Sequence, residues 1–147
     1  MKTILFVCTG NSCRSVMAEG LFRKTIGSRS GEFDIASAGI ATIDGLQASP
    51  ETIRLLREEA IDMTAHRSRR LTREMVASAY RIYAMEKMHR DWILQFVPDA
   101  GNKVDLLTGS DIPDPIRMSE AFYKNVFTVI HEGVNKIADQ LTSEAGK

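Results

Sequence analysis

This chain is short of cysteine, of net charge and of long apolar runs, and each shortage removes a class of protein. There are two cysteines, Cys8 and Cys13. A disulfide-stapled secreted fold would need more, so the usage fits a reducing compartment. With no further Cys or His pair nearby, two thiols also fall short of a tetrahedral zinc site, and no metal is expected. Lys and Arg number 19 and Asp and Glu 19, a net charge of zero that gives no general reason to expect nucleic acid or acidic membrane as a partner. The segment ahead of Cys8 is too short for a signal peptide, and no apolar run approaches the roughly 20 residues that span a bilayer. A cytoplasmic protein is expected. Repeats, low-complexity tracts and linkers are missing as well. The 147 residues are one domain's worth of chain, so residues 1–147 are read as a single domain with 142–147 as a frayed tail.

What the chain does have is alternation. Apolar runs short enough to be buried strands occur at Thr3 to Val7, Phe33 to Ile40, Arg81 to Met85 and Val104 to Leu107. Helical patterns lie between them. Met17, Leu21, Phe22 and Ile26 recur at helical spacing, Ser49-Pro50-Glu51 and Thr72 with Glu74 read as helix starts, and Met88, Trp92 and Phe96 mark a helix closed by Pro98. After Pro115 a long amphipathic stretch runs through Phe122, Val126, Val129, Ile130, Val134, Ile137 and Leu141. Alternating strand and helix predicts an α/β three-layer sandwich, a four-stranded parallel sheet with helices on both faces.

The densest chemistry sits where the first strand should meet the first helix, at Cys8-Thr9-Gly10-Asn11-Ser12-Cys13-Arg14-Ser15. A loop entering a helix turns its backbone N–H groups and the positive end of the helix dipole toward one point, where an oxyanion fits. The same field favours an anionic Cys8 sulfur, the nucleophilic form of a thiol. Arg14 supplies a planar fork of donors able to grip two phosphate oxygens at once. Cys8 is thus the candidate nucleophile and Arg14 the candidate anion clamp, with Thr9, Gly10, Asn11, Ser12, Cys13 and Ser15 forming a phosphate-binding loop. Cys13 cannot take the role of Cys8, because it adjoins Arg14 with no loop between them. Thiolate attack on a phosphoryl group expels a leaving group that needs a proton, so an acid must arrive from another loop. Asp114 is the candidate, since Pro115 biases it toward an extended conformation; Asp111 is the competitor.

The run VCTGNSCRS followed by MAEGLF resembles the low-molecular-weight protein tyrosine phosphatase family, whose bacterial branches include protein-arginine phosphatases. Ser37-Ala-Gly39, Thr64-Ala-His66-Arg-Ser, Ala84-Met85 and Asp111-Ile-Pro-Asp114-Pro115 follow in the family's order, over about residues 1 to 141. The resemblance implies a protein phosphatase working through a phosphocysteine intermediate on a phosphorylated protein, without a cofactor. It also implies that Asp114 is the general acid, that Asn11 holds a strained turn, that Ser15 donates to the Cys8 sulfur and that His66 supports the loop. Cys13 has two open readings: loop packing, or, as the family implies, trapping an oxidised Cys8 as a reversible disulfide. His89 and His131 fall on helical patterns without a chemical partner and are read as surface. Glu86, where family members often carry Asp, is assigned no role.

Tyrosine-directed members of this family wall their slot with aromatic rings, yet Ile116 and Arg117 follow Pro115 and Ala41 to Leu46 has no ring either. Ser12 stands where tyrosine-directed members often carry a branched aliphatic residue and arginine-directed ones carry Thr. Together these features lean toward protein phosphoarginine, with phosphotyrosine as the alternative. An arsenate reductase is more distant, since it needs two more thiols than the chain carries beyond Cys13. A silent phosphoprotein-binding module would have lost Cys8 or Asp114.

Overall fold

The computed structural model describes residues 1–145, apart from the side chains at positions 28, 30 and 145. Side-chain alternation explains how its layers form. In β1 (Lys2–Cys8), Ile4, Phe6 and Cys8 point into one core while Leu5 and Val7 point into another, as a period of two dictates for a strand covered on both faces. β1 pairs in parallel with β2 (Phe33–Gly39) on one side and β3 (Arg81–Ala84) on the other; β4 (Val104–Leu106) pairs in parallel with β3. The order is β2-β1-β3-β4, the four-stranded parallel sheet expected from the alternation.

The first face is covered by α1 (Arg14–Ile26), α2 (Pro50–Glu58) and α5 (Glu120–Ala145), and the second by α3 (Arg73–Ser78) and α4 (Lys87–Phe96). Both helix starts read from the sequence hold: the Ser49 hydroxyl accepts the Thr52 N–H at 3.3 Å, and the Thr72 hydroxyl accepts that of Met75 at 3.2 Å. Phe22 of α1 is fully buried and meets Phe6 and Phe33 edge to face, so its truncation to Ala would cost about 3–5 kcal/mol. Between α1 and β2, Gly27–Glu32 winds into a short 3-10 turn.

The expected tail is corrected. α5 continues to Ala145, and residues 142–144 are tied down: the Thr142 hydroxyl donates to the Ala138 carbonyl at 2.7 Å, and the Glu144 carboxylate accepts the Tyr80 hydroxyl at 3.1 Å. Residues 146 and 147 lie outside the described residues. Among the described residues no helix is long and apolar enough to cross a membrane.

The central strand β1 ends at Cys8, with β2 on one flank and β3 on the other. Connections leave that point in opposite directions, which opens a crevice at the carboxyl ends of the strands.

Candidate active site

Cys8 closes β1 and Arg14 opens α1, so residues 9–13 must turn back within a few residues. Asn11 takes the sharpest part of the turn at φ 54°, in the left-handed region that Asn tolerates better than most residues. Its side chain holds the loop from inside. Nδ2 donates to the Ser15 hydroxyl at 2.8 Å and to the Ser37 hydroxyl at 2.9 Å, while Oδ1 accepts the Arg69 N–H at 2.9 Å. Ser37 in turn donates to the Glu19 carboxylate at 2.7 Å. His66 Nε2 lies 3.0 Å from the Asn11 carbonyl, which can only accept, so this nitrogen carries the proton. The basic segment around residues 66–70 therefore packs against this loop. Its backbone pairs with Gly39, through Gly39 N–H to the Arg69 carbonyl and Leu71 N–H to the Gly39 carbonyl, both at 2.9 Å, and buttresses the turn.

The Cys8 sulfur accepts the Asn11 N–H at 3.3 Å and lies 2.9 Å from the Ser15 hydroxyl. Because that hydroxyl already accepts from Asn11, its hydrogen is free to point at sulfur. Two polar hydrogens, from the Asn11 amide and the Ser15 hydroxyl, can thus converge on the Cys8 sulfur. Cys13 caps α1, and its carbonyl accepts the first helical hydrogen bond from Met17 N–H at 2.9 Å, so the N–H groups ahead of Met17 have no partner within the helix.

Arg14 is 2% exposed, and its guanidinium is held from behind: Nη1 donates to Glu86 Oε2 at 2.6 Å and to the Ile112 carbonyl at 2.7 Å. Nη2 reaches the Thr9 hydroxyl at 3.5 Å and Asp114 Oδ2 at 3.8 Å. Asp114 stands on the segment that Ile112 ties to the end of β3, through Ile112 N–H to the Met85 carbonyl at 2.9 Å. Asp114 Oδ1 accepts the Ile116 N–H at 3.0 Å, a turn that fixes the carboxyl and leaves Oδ2 toward Arg14. Its competitor is engaged elsewhere: Asp111 Oδ1 accepts the Lys87 N–H at 2.7 Å, at the start of α4. Cys8, Arg14 and Asp114 line one pocket of about 180 Å³, with Ser12 and Ile116 on its walls. A larger cleft of about 630 Å³ lies apart, against α5 and the segment after β4, and no thiol lines it.

A family model described as low molecular weight phosphotyrosine protein phosphatase matches residues 3–147. The chain belongs to that family. Among its relatives within the low molecular weight phosphatase family, the protein-arginine-phosphatase of Bacillus subtilis is 36% identical over 148 residues, covering 96% of this chain and 97% of that one. The low molecular weight protein-tyrosine-phosphatase Wzb of Escherichia coli K12 is 31% identical, covering 97% of each chain. In three dimensions the YwlE arginine phosphatase of Geobacillus stearothermophilus superposes with a TM-score of 0.90 at 31% identity, over 98% of this chain and 95% of that one. Four parallel strands with the loop after the first are thus shared with solved members of this phosphatase family.

Three residues behave differently from the sequence reading. Glu86, given no role, is the carboxylate that holds Arg14. His89, read as surface, is fully buried: its position follows from a reciprocal cap in which the His89 ring accepts the Glu86 N–H at 3.1 Å. A Glu-x-x-His spacing at a helix start was the available signal. Burial, and secondarily the Arg14 charge, push the His89 imidazole down to about 4. Tyr123, which falls on the regular stripe of α5 and carries no local signal of its own, sends its hydroxyl within 3.2 Å of both the Cys13 sulfur and the Ser49 hydroxyl. Burial and the contact with Cys13 keep that phenol protonated well above its ordinary range. His131 is exposed enough to fit its surface reading, 3.8 Å from a Glu59 carboxylate oxygen.

Proposed function

We propose that this phosphatase-family chain hydrolyses phosphorylated protein side chains through a phosphocysteine. Cys8 attacks the phosphorus, the Arg14 fork and the loop N–H groups bind the non-bridging oxygens, and Asp114 Oδ2 gives its proton to the leaving group. The same carboxylate then takes a proton from the water that cleaves the Cys8–phosphorus bond, releasing phosphate and regenerating the thiolate. Ser15 eases that second step by donating to the departing sulfur. The observation that carries this reading is the placement of the Cys8 sulfur, under donors from Asn11 and Ser15, in one pocket with Arg14 and Asp114. We read residues 1–147 as one domain acting on protein substrates in the cytoplasm.

For the substrate residue the reading leans to phosphoarginine. Among the described residues the pocket's walls carry Ser12 and Ile116 and no aromatic ring, and the Ser12 hydroxyl has only a 3.7 Å contact with the Cys13 sulfur to occupy it. That leaves it available to a polar guanidinium. Phosphotyrosine is the second reading, supported by exposed apolar side chains at Ile43, Leu46 and Ile116, on which an aryl ring can rest. Rates on matched phosphoarginine and phosphotyrosine peptides decide between them, with Cys8→Ser as the inactive control. Faster turnover of phosphoarginine, weakened by Ser12→Ile and kept by Ser12→Thr, is the expected result. A strong aryl preference in the parent protein overturns the choice, and turnover by Cys8→Ser overturns the mechanism.

A further inference from the structure

We infer that His89 is a positioning residue for the phosphate-binding loop, holding the Thr9 hydroxyl so that its hydrogen points into the pocket beside Cys8. Burial and hydrogen-bond geometry lead there. The ring is fully buried, although nothing in an apolar helix face requires a histidine. Its Nδ1 accepts the Glu86 N–H at 3.1 Å, and a backbone amide can only donate, so the proton of the neutral ring resides on Nε2. Nε2 stands 2.8 Å from the Thr9 hydroxyl, which must therefore accept. Arg14 Nη2 approaches the same oxygen at 3.5 Å, so both lone pairs face donors and the hydroxyl hydrogen takes the remaining direction. Among the described residues Thr9 has no acceptor for that hydrogen, and it lines the pocket with Cys8 and Arg14. A phosphoryl oxygen or the sulfur itself is the acceptor left. The lowered His89 basicity agrees, since a protonated ring would set a second cation against Arg14.

Glu86 is then the hub of two arms. Its carboxylate orients the Arg14 guanidinium and its backbone N–H selects the His89 tautomer, so the start of α4 aims two donors at one oxyanion. The positioning role of the His89 arm rests on the phosphatase reading above.

The test is a double-mutant cycle on kcat/KM with a phosphopeptide. His89→Asn keeps an acceptor near the Nδ1 position and cannot reach Thr9; His89→Gln extends an amide donor toward it; Thr9→Val removes the hydroxyl at nearly constant shape. His89→Asn and Thr9→Val should each lower kcat/KM about tenfold, the scale of one hydrogen bond, and the double variant should lose no more than either alone. His89→Gln should recover part of the loss. Additive losses in an active enzyme overturn the His89 assignment alone, because a purely structural ring acts regardless of Thr9. A wild type inactive on both phosphopeptides overturns the underlying reading instead. Imidazole ¹⁵N resonances of the wild type supply a readout that needs no His89 variant: the Nε2-protonated tautomer is expected, with a shift on adding vanadate that Thr9→Val abolishes. An Nδ1-protonated ring, or one unmoved by vanadate, overturns the assignment as well.

Discussion

Removing the Glu86 carboxylate tests how the guanidinium of Arg14 is held. In Glu86→Ala, Arg14 keeps the Ile112 carbonyl but loses its 2.6 Å anionic partner while staying 2% exposed. Breaking one side of a buried pair costs about 3–5 kcal/mol because the other charge is left without compensation. Asp114 Oδ2 still lies 3.8 Å from Nη2, and Glu86 is itself 25% exposed, so water can reach part of the gap and roughly 2–3 kcal/mol is the better figure. The same side chain caps α4, which adds about 1 kcal/mol. A total of roughly 3–4 kcal/mol corresponds to a fall of roughly 6–15 °C in Tm for a chain of this size. Urea unfolding gives the free energy, and vanadate titration reports the Arg14 geometry. Glu86→Gln, which keeps an acceptor without the charge, should fall between the wild type and Glu86→Ala in both. A loss under about 1 kcal/mol in Glu86→Ala with unchanged vanadate affinity would refute the reasoning, since it would mean that Arg14 is oriented without this carboxylate.

Asp114→Ala should slow turnover most for substrates with poor leaving groups and least for an activated aryl phosphate; equal slowing across leaving groups would remove its role as proton donor. Gly39→Ala should destabilise by about 1–3 kcal/mol and weaken vanadate binding, because a Cβ there meets the Thr9 carbonyl at 2.6 Å and the Asn11 nitrogen at 3.0 Å, and calorimetry with an oxyanion titration checks both. The buried His89 ring makes stability fall with acid. Its folded value of about 4 lies below the ordinary 6.5, so between those pH values the unfolded chain binds a proton that the native state refuses. Relative to His89→Gln, the wild type should therefore lose roughly 2 kcal/mol between pH 7 and 4.5, and a flat difference in urea unfolding over that window would contradict a buried neutral ring.

Much of this architecture follows from local pattern. Apolar runs of strand length separated by helix-period segments specify a covered parallel sheet, because a strand apolar on both faces has no other stable surroundings. Ser49 and Thr72 were readable as caps because capping needs only neighbours within three residues. The Cys8-to-Arg14 loop and the Asp114-Pro115 pair were legible for a similar reason: spacing along the chain sets the loop, and proline sets the dihedral beside the acid. Glu86, His89 and Tyr123 were not, since each acts across the fold on a residue about 70 to 110 positions away. Nor does spacing say why Gly39 must lack a side chain, a matter settled when the end of β2 comes against the loop. The sequence by itself determined the Cys8-to-Arg14 loop and the sheet that carries it. Only tertiary packing decided which buried groups orient that loop, because burial turns an ordinary helix-start pair into the anchor of a guanidinium and a hydroxyl.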